Sequence, residues 1–163
     1  MPTHKGIASI ELRAINAVAY SQSPFTFTGQ AHAYAGETWQ ADITLPPMKR
    51  ADAEQWIAWL VSLRGHLGTF DLGAPSPTSP RGSASQNTHV NSATGSAGDH
   101  EISVTITSGE TLLAGDYIQI GTTSNRTLHK VLTDVTGTGS AQNIDIWPAL
   151  REDKSSAGVN ILN

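Results

Sequence analysis

The chain has 163 residues and a formal net charge of -4, and its ten Lys and Arg residues are scattered. This length favours one domain with a core of its own, and the acidic balance argues against a nucleic-acid binder that neutralises phosphates with clustered basic residues. The chain has no cysteine, which excludes disulfides, thiolate zinc sites and cysteine nucleophiles and is compatible with a reducing cytosol.

The first predicted elements are strands. Residues 7–20 alternate imperfectly; their periodicity fits strand or helix, and we favour strand. In FTFTGQAHAYAGETWQADITLPPM, apolar and polar residues alternate over 25–28 and 39–45, which predicts two antiparallel strands joined near YAGET. Pro46 and Pro47 have no N–H to donate to a ladder, so the second strand should end there.

A helix is predicted over residues 49–64, KRADAEQWIAWLVSLR. Apolar residues recur there at helical spacing, Asp52 and Glu54 favour the positive N-terminal end, and Gly65 is a plausible stop. Trp56 and Trp59 would suit a stacking platform for a sugar or a base, but such a stripe more often packs on a sheet. We therefore interpret four residues as core scaffold: Trp56, Ile57, Leu60 and Leu63.

Residues 74–100 are rich in Pro, Ser, Gly, Thr and Asn. A stretch with so few apolar side chains cannot offset its ordering entropy by burial, so the sequence predicts a long central loop. The β pattern then returns in HEISVTI, LLAGDYIQIG, RTLHKVLTDV and NIDIWPALR, with a turn at Ala114, Gly115 and Asp116. Short strands with Gly-rich turns indicate a β-rich α+β protein: a small antiparallel β-barrel or sandwich with one flanking helix.

Motifs that would carry catalysis or hold a cofactor are scarce. The six histidines lack metal-ligand spacing, and no nucleophile elbow or phosphate-binding glycine loop occurs. His129 is expected to be a partly exposed strand residue. The Asp residues near turns suit backbone hydrogen bonding, so a hydrolase would need carboxylates that converge only in the fold. We expect no catalytic, cofactor or metal site. The sequence also has neither a signal-peptide pattern nor a membrane-spanning apolar run, which predicts a soluble protein.

The order of segments resembles a group of small tail proteins of long-tailed, siphovirus-like bacteriophages and gene-transfer particles. The resemblance covers residues 23–82 and 112–151, and its most specific pieces are LPPM after Trp39, the Trp-containing helix, GTFDLG, AGDYIQIG and WPALR. It implies a distal-tail or tail-tip protein with a tail-tube-like barrel, organised as a single domain over 1–163. Many distal-tail proteins have a further carbohydrate-binding-like domain, for which this chain is too short, and this favours a structural adaptor.

The resemblance implies a non-enzymatic virion subunit, assembled in the bacterial cytoplasm, that forms a homo-oligomeric ring between the tail tube and the tip complex. Sixfold symmetry is favoured, and the partners are further copies, the tube and the tail hub. Membrane insertion is not expected. Because tail proteins lay loops over neighbouring subunits, we identify a candidate inter-subunit arm in the central loop, with these residues: Ser76, Thr78, Arg81, Ser85, Asn87, His89, Asn91 and Thr94.

Two other classes stay open. A carbohydrate-binding module acting in host attachment would use the apolar faces of Trp39, Tyr117 and Trp147 against sugar rings. A small cell-wall hydrolase carried by the tail would need convergent carboxylates or a histidine-held metal.

Overall fold

The computed structural model describes residues 7–34, 36–70, 72, 79–85, 90–121 and 125–162. These residues form a β-rich fold with one α-helix and a nearly closed seven-stranded antiparallel sheet. The predicted fold class, a small β-barrel or sandwich with one flanking helix, is confirmed. The strands are β1 (Ser9–Ile15), β2 (Val18–Gln22), β3 (Gly29–Ala33), β4 (Thr38–Thr44), β5 (Val90–Gly95), β6 (Glu101–Ile106), β7 (Thr111–Leu112), β8 (Tyr117–Ile120), β9 (Thr127–Val131), β10 (Val135–Thr136), β11 (Ala141–Trp147), β12 (Lys154–Ala157) and β13 (Val159–Ile161).

The described residues divide into two compact units. The smaller unit is built from residues 7–13, 40–70 and 72, and the larger from 14–34, 36–39, 79–85, 90–121 and 125–162. The smaller unit contains the helix α1 (Arg50–Ser62) and a short 3-10 turn (Gly65–Leu67). The division falls within β1 and β4, which pair with each other as a two-stranded sheet.

The core of the larger unit is the seven-stranded sheet, in the order β12-β5-β6-β11-β9-β8-β13. Every pairing in it is antiparallel, and β13 also packs against β5, so the sheet curls towards closure. Side chains alternate between core and solvent along β6 and β8, as the period of a half-buried strand requires. Across β6 and β11, Ile102 lies opposite Ile144, and both are 1 % exposed.

The strand β5 corrects the prediction of a loop over residues 74–100. Val90 and Ala93 are 0 % and 1 % exposed and belong to the core. The register of β5 against β6 shifts between Asn91 and Thr94, and Ser92 has a φ of 58°. This irregularity places inward residues three apart, not two. The alternation of apolar and polar residues is therefore broken, and the mostly polar sequence of β5 does not indicate a strand.

The described part of the proposed arm is likewise integrated into the larger unit. Arg81 and Ser85 lie in a segment whose Ala84 is 0 % exposed and donates its N–H to the carbonyl of Thr111 at 3.0 Å. Asn91 and Thr94 are exposed positions of β5. These four residues therefore belong to the fold of the larger unit and not to a loop without structure of its own, while their role in contacts between subunits stays a prediction. The other four residues of the proposed arm lie outside the described part of the chain: Ser76, Thr78, Asn87 and His89.

The helix α1 is shorter than predicted and only partly a core element. Trp56 is 5 % exposed, as a scaffold residue should be, and Leu63 just after the helix is half-buried. Ile57 and Leu60 are 52 % and 54 % exposed, so their assignment to the core is wrong. The sheet of the smaller unit has only two strands, which is too little surface to cover a whole apolar stripe.

The N-terminal strands pair differently from the prediction. Residues 7–20 do form strands, β1 and β2, but β4 pairs with β1 and not with residues 25–28. Residues 24–26 form a turn, and Phe27 has a φ of 55°, a left-handed conformation outside the regular β region. No helix of the described residues is long and apolar enough to span a membrane.

Candidate interaction surfaces

The strands β2 and β3 form an antiparallel hairpin, residues 18–33, which we call the exposed hairpin. Every residue of both strands is exposed, and the register aligns Val18 with Ala33 and Tyr20 with Ala31. A Cβ at Gly29 would lie 2.0 Å from the Tyr20 hydroxyl oxygen, so the tyrosine side chain lies across the hairpin over this glycine. The chain has no Asp, Glu, Lys or Arg between Arg13 and Glu37.

The tip of the exposed hairpin presents two phenylalanines to solvent. Phe25 is 92 % exposed and Phe27 is 74 % exposed. The turn is ordered by its own hydrogen bonds: the Phe27 N–H donates to the Ser23 carbonyl at 3.0 Å, and the Gln22 amide donates to the Phe27 carbonyl at 2.9 Å. The left-handed φ of Phe27 is an unfavourable conformation for a bulky residue. The turn therefore holds two aromatic rings in water at a cost in backbone energy.

The smaller unit has an apolar pocket of about 140 Å³ beside α1, which we call the helix pocket. Trp56, Trp59 and Phe70 form part of its wall through edge-to-face contacts, with ring centroids 5.7 Å apart for the two tryptophans and 5.0 Å for Trp59 and Phe70. Leu60 and Phe70 remain 54 % and 44 % exposed at its mouth. No charged residue lines it among the described residues: the lining is Ile7, Ile43, Leu45, Trp56, Trp59, Leu60 and Phe70.

The larger unit has an open cleft of about 900 Å³ with a different chemistry, which we call the polar cleft. Its central group is Glu37, whose Oε2 accepts the Ala149 N–H at 2.9 Å and whose Oε1 lies 3.5 Å from Nε2 of His100. Arg151 donates from Nη2 to the Glu37 carbonyl at 3.2 Å. Tyr34, which is 57 % exposed, also lines the cleft. The cleft thus combines a fixed carboxylate, an imidazole, a guanidinium and an aromatic ring.

The three aromatic residues of the carbohydrate hypothesis do come together, but they pack on one another. The ring centroids of Trp39 lie 4.5 Å from Trp147 and 5.9 Å from Tyr117. Both indole N–H groups are engaged, that of Trp39 with the Leu128 carbonyl at 2.9 Å and that of Trp147 with Asn16 Oδ1 at 2.8 Å. All three side chains are half-buried. This is the geometry of a packed cluster, so a sugar platform is better sought in the polar cleft.

His129 is buried, which corrects the expectation of a partly exposed strand residue. It is 1 % exposed, with Nδ1 2.7 Å from the Pro148 carbonyl and Nε2 2.7 Å from the Thr127 hydroxyl. Burial lowers its pKa; the bond to Pro148 opposes this shift, and the positive charges of Lys154 and Arg151 add to it. A neutral imidazole with both nitrogens engaged joins β9 to the chain after β11 and is not free for catalysis.

Asp116 anchors the segment that precedes β5. Its carboxylate is 3 % exposed and accepts three backbone N–H groups, from Arg81 at 2.6 Å, Gly82 at 3.1 Å and Leu113 at 2.9 Å. A Cβ at Gly82 would lie 2.1 Å from the Thr111 carbonyl oxygen, so only glycine allows this close approach. The Asp of the AGDYIQIG motif therefore has a structural role.

Within the part of the chain that the structure describes, no three His, Asp or Glu side chains converge as they would around a metal ion. No protein-family model matches the chain, and no curated protein matches its sequence. The surfaces above are therefore the basis for a functional assignment. The sequence reasoning missed the exposed hairpin, although the uncharged stretch between Arg13 and Glu37 was a signal for it.

Proposed function

We propose that this chain is a structural, non-enzymatic subunit of a bacteriophage tail. In this proposal it forms a closed ring at the distal end of a non-contractile tail and connects the tail tube to the tip complex in the virion. The segments LPPM, GTFDLG, AGDYIQIG and WPALR support it through their resemblance to small tail proteins. The observation that carries it is the exposed hairpin, which is uncharged and ends in two solvent-exposed phenylalanines.

An exposed hairpin without charged residues is a good candidate for contact with another protein in an assembly. Two strands alone are marginally stable in water, and exposed sheet edges are usually protected from association by charged side chains or proline. The two strands of the exposed hairpin contain neither. Its large exposed side chains are Val18, Tyr20, Phe25 and Phe27. Protein contacts in an assembled tail would bury this surface.

Two different apolar surfaces on one chain support the proposal of a ring. A heterologous contact joins one patch to a different patch on the next copy, and such contacts close into rings when the rotation permits. The exposed hairpin is one patch, and the apolar residues around the helix pocket are the other. Sixfold symmetry rests on the resemblance to tail proteins.

Negative-stain electron microscopy of the purified chain, alone and with tail-tube and tail-hub proteins, tests this function. We expect rings with a central channel that stack on the end of tubes. A Thr26→Ser variant, which keeps a hydroxyl in the same turn, should form the same rings and serves as the control. Monomers under all conditions, with no attachment to tubes, would overturn the proposal.

The polar cleft favours a second function, binding of a neutral carbohydrate during host attachment. Its lining includes one carboxylate and one guanidinium, so neither anions nor cations are strongly preferred. Hydroxyl groups can pair with both, while the exposed ring of Tyr34 offers an apolar face to a sugar. The volume of about 900 Å³ is sufficient for an oligosaccharide.

Calorimetric titration with a panel of neutral cell-wall oligosaccharides tests this second function. We expect saturable binding that Tyr34→Ala and Glu37→Gln each weaken at least tenfold. Tyr20→Ala removes another tyrosine that is mostly exposed and lies outside the cleft lining, and it should leave binding unchanged. Absence of saturable binding at millimolar sugar would eliminate this function and leave ring assembly unaffected.

A further inference from the structure

We infer that the aromatic tip of the exposed hairpin of one subunit inserts into the helix pocket of the next copy in the ring. This inference rests on the proposed ring function and specifies its contact. It joins the two exposed apolar features of the described chain that differ in shape: a protruding turn with Phe25 and Phe27, and a concave site walled by Trp56, Trp59 and Phe70.

The sizes agree. The helix pocket measures about 140 Å³, and an apolar cavity of roughly 150 Å³ is large enough to hold benzene. One phenylalanine ring therefore fills the pocket, and the second lies against its mouth, where Leu60 is 54 % exposed. Phe25, at 92 % exposure, is the ring that gains most from transfer out of water.

The charges of the two surfaces are also compatible. The described lining of the pocket and the whole stretch between Arg13 and Glu37 lack formal charge. Docking therefore buries no unpaired ion, which would otherwise oppose association. The aromatic walls supply edge-to-face partners for an incoming ring. An aromatic anchor in a central apolar pocket, surrounded by weaker contacts, is the usual arrangement of an interface hot spot.

A second copy is the occupant that satisfies both surfaces with one contact. Each chain carries one tip and one pocket, so in a closed ring every subunit gives one tip and receives one. A different partner for the tip would leave the pocket of every copy unfilled.

The lack of cysteine in the chain makes a direct test possible. Thr26→Cys places a thiol between the two phenylalanines, and Leu60→Cys places one at the mouth of the pocket. The two single variants are mixed at the concentration where the wild type assembles and are treated with a short bismaleimide. We expect a covalent dimer in the mixture, and neither variant alone should give it in comparable yield. Ala58→Cys, exposed on the opposite face of α1, replaces Leu60→Cys in the control and should not cross-link.

Native mass spectrometry of the same mixtures distinguishes ring assembly from the specific contact between the tip and the pocket. Rings without the 26–60 cross-link would overturn this inference and leave the ring function standing, whereas absence of any assembly would overturn the ring function and this contact together. Cross-linking of Thr26→Cys to another tail protein, but not to Leu60→Cys, would also overturn it. A double variant that cross-links only within one chain at high dilution would show that the tip fills its own pocket, which contradicts the inference.

Discussion

Asp116, His129 and Lys154 are polar side chains that the larger unit buries. Asp116 and His129 are satisfied by backbone groups and a hydroxyl. Lys154 donates to the Asn125 carbonyl at 3.2 Å, and its Nζ lies 3.6 Å from Oε2 of Glu152. Their bonds connect segments far apart in sequence, so they fix the arrangement of irregular connections around an apolar core. The chemistry of these residues is therefore that of a scaffold.

Asp116→Ala should strongly destabilise the fold. The substitution leaves the N–H groups of Arg81, Gly82 and Leu113 without their acceptor, and each unpaired buried donor costs about 1–3 kcal/mol. We expect a loss of about 3 kcal/mol or more in urea denaturation. Asp134→Ala is the matched control, because its exposed carboxylate accepts one N–H, from Ala114. Equal losses for the two variants would contradict this role of Asp116.

The stability of the larger unit should fall at acid pH partly through His129. Burial lowers its folded pKa below the unfolded value of 6.5, so below that pH the unfolded chain binds more protons than the folded one. The free energy of unfolding therefore decreases as the pH falls through 6.5 towards the folded pKa, by at most about 1.4 kcal/mol per pH unit for this one proton.

Urea denaturation of the wild type and of His129→Gln between pH 7.5 and pH 5 measures this effect. The variant should show a smaller decrease over that range, whatever its absolute stability. His66→Gln, at an exposed position, is the control variant for the loss of a histidine. An unchanged slope in His129→Gln would show that other groups dominate the acid response.

At the scale of elements, the helix α1 has one buried tryptophan, Trp56, and an exposed apolar face that includes Leu60. Trp56→Ala should cost about 3–5 kcal/mol because it removes the large buried side chain of the helix. Leu60→Ala should cost less than about 1 kcal/mol, since Leu60 is 54 % exposed. Thermal unfolding of both variants measures the difference. A cost for Leu60→Ala that approaches that of Trp56→Ala would mean that this face is covered within the subunit.

The central segment, residues 76–97, is required for folding because it contains β5. Replacement of residues 76–97 by a short Gly/Ser linker removes β5, which pairs with both β6 and β12. We expect the shortened chain to lose cooperative unfolding by circular dichroism. A folded, cooperatively melting deletion variant would contradict the place of Val90 and Ala93 in the core.

The extent to which the sequence predicts the structure differs between elements. Regular alternation in HEISVTI and in YIQI predicts β6 and β8, because each inward position is apolar. The strand β5 was missed because its bulge breaks the alternation and its core residues are small. The tip turn was missed because Phe25 and Phe27 alternate like strand residues, whereas the left-handed φ of Phe27 is set by the turn.

The interaction surfaces are harder to predict, because they depend on which distant segments the fold brings together. Helical spacing shows which residues of α1 share a face, but not whether the partner sheet is large enough to cover them. Here Trp56 is buried, whereas Ile57 and Leu60 are exposed. The polar cleft joins Glu37, His100 and Arg151 from distant parts of the sequence, so only the folded chain brings them together.

At the scale of the whole molecule, the central claim is that the chain functions by self-association through its exposed apolar surfaces. Native mass spectrometry of the purified chain and of the Phe25→Ser/Phe27→Ser double variant over a concentration series tests this most directly. Both side chains are mostly in water in the monomer, so the double variant should keep the circular dichroism and melting of the wild type. We expect the wild type to reach one closed multiple of the 17.2 kDa subunit and the double variant to remain monomeric. Equal assembly by the two proteins, or a wild type that stays monomeric at every concentration, would contradict the account.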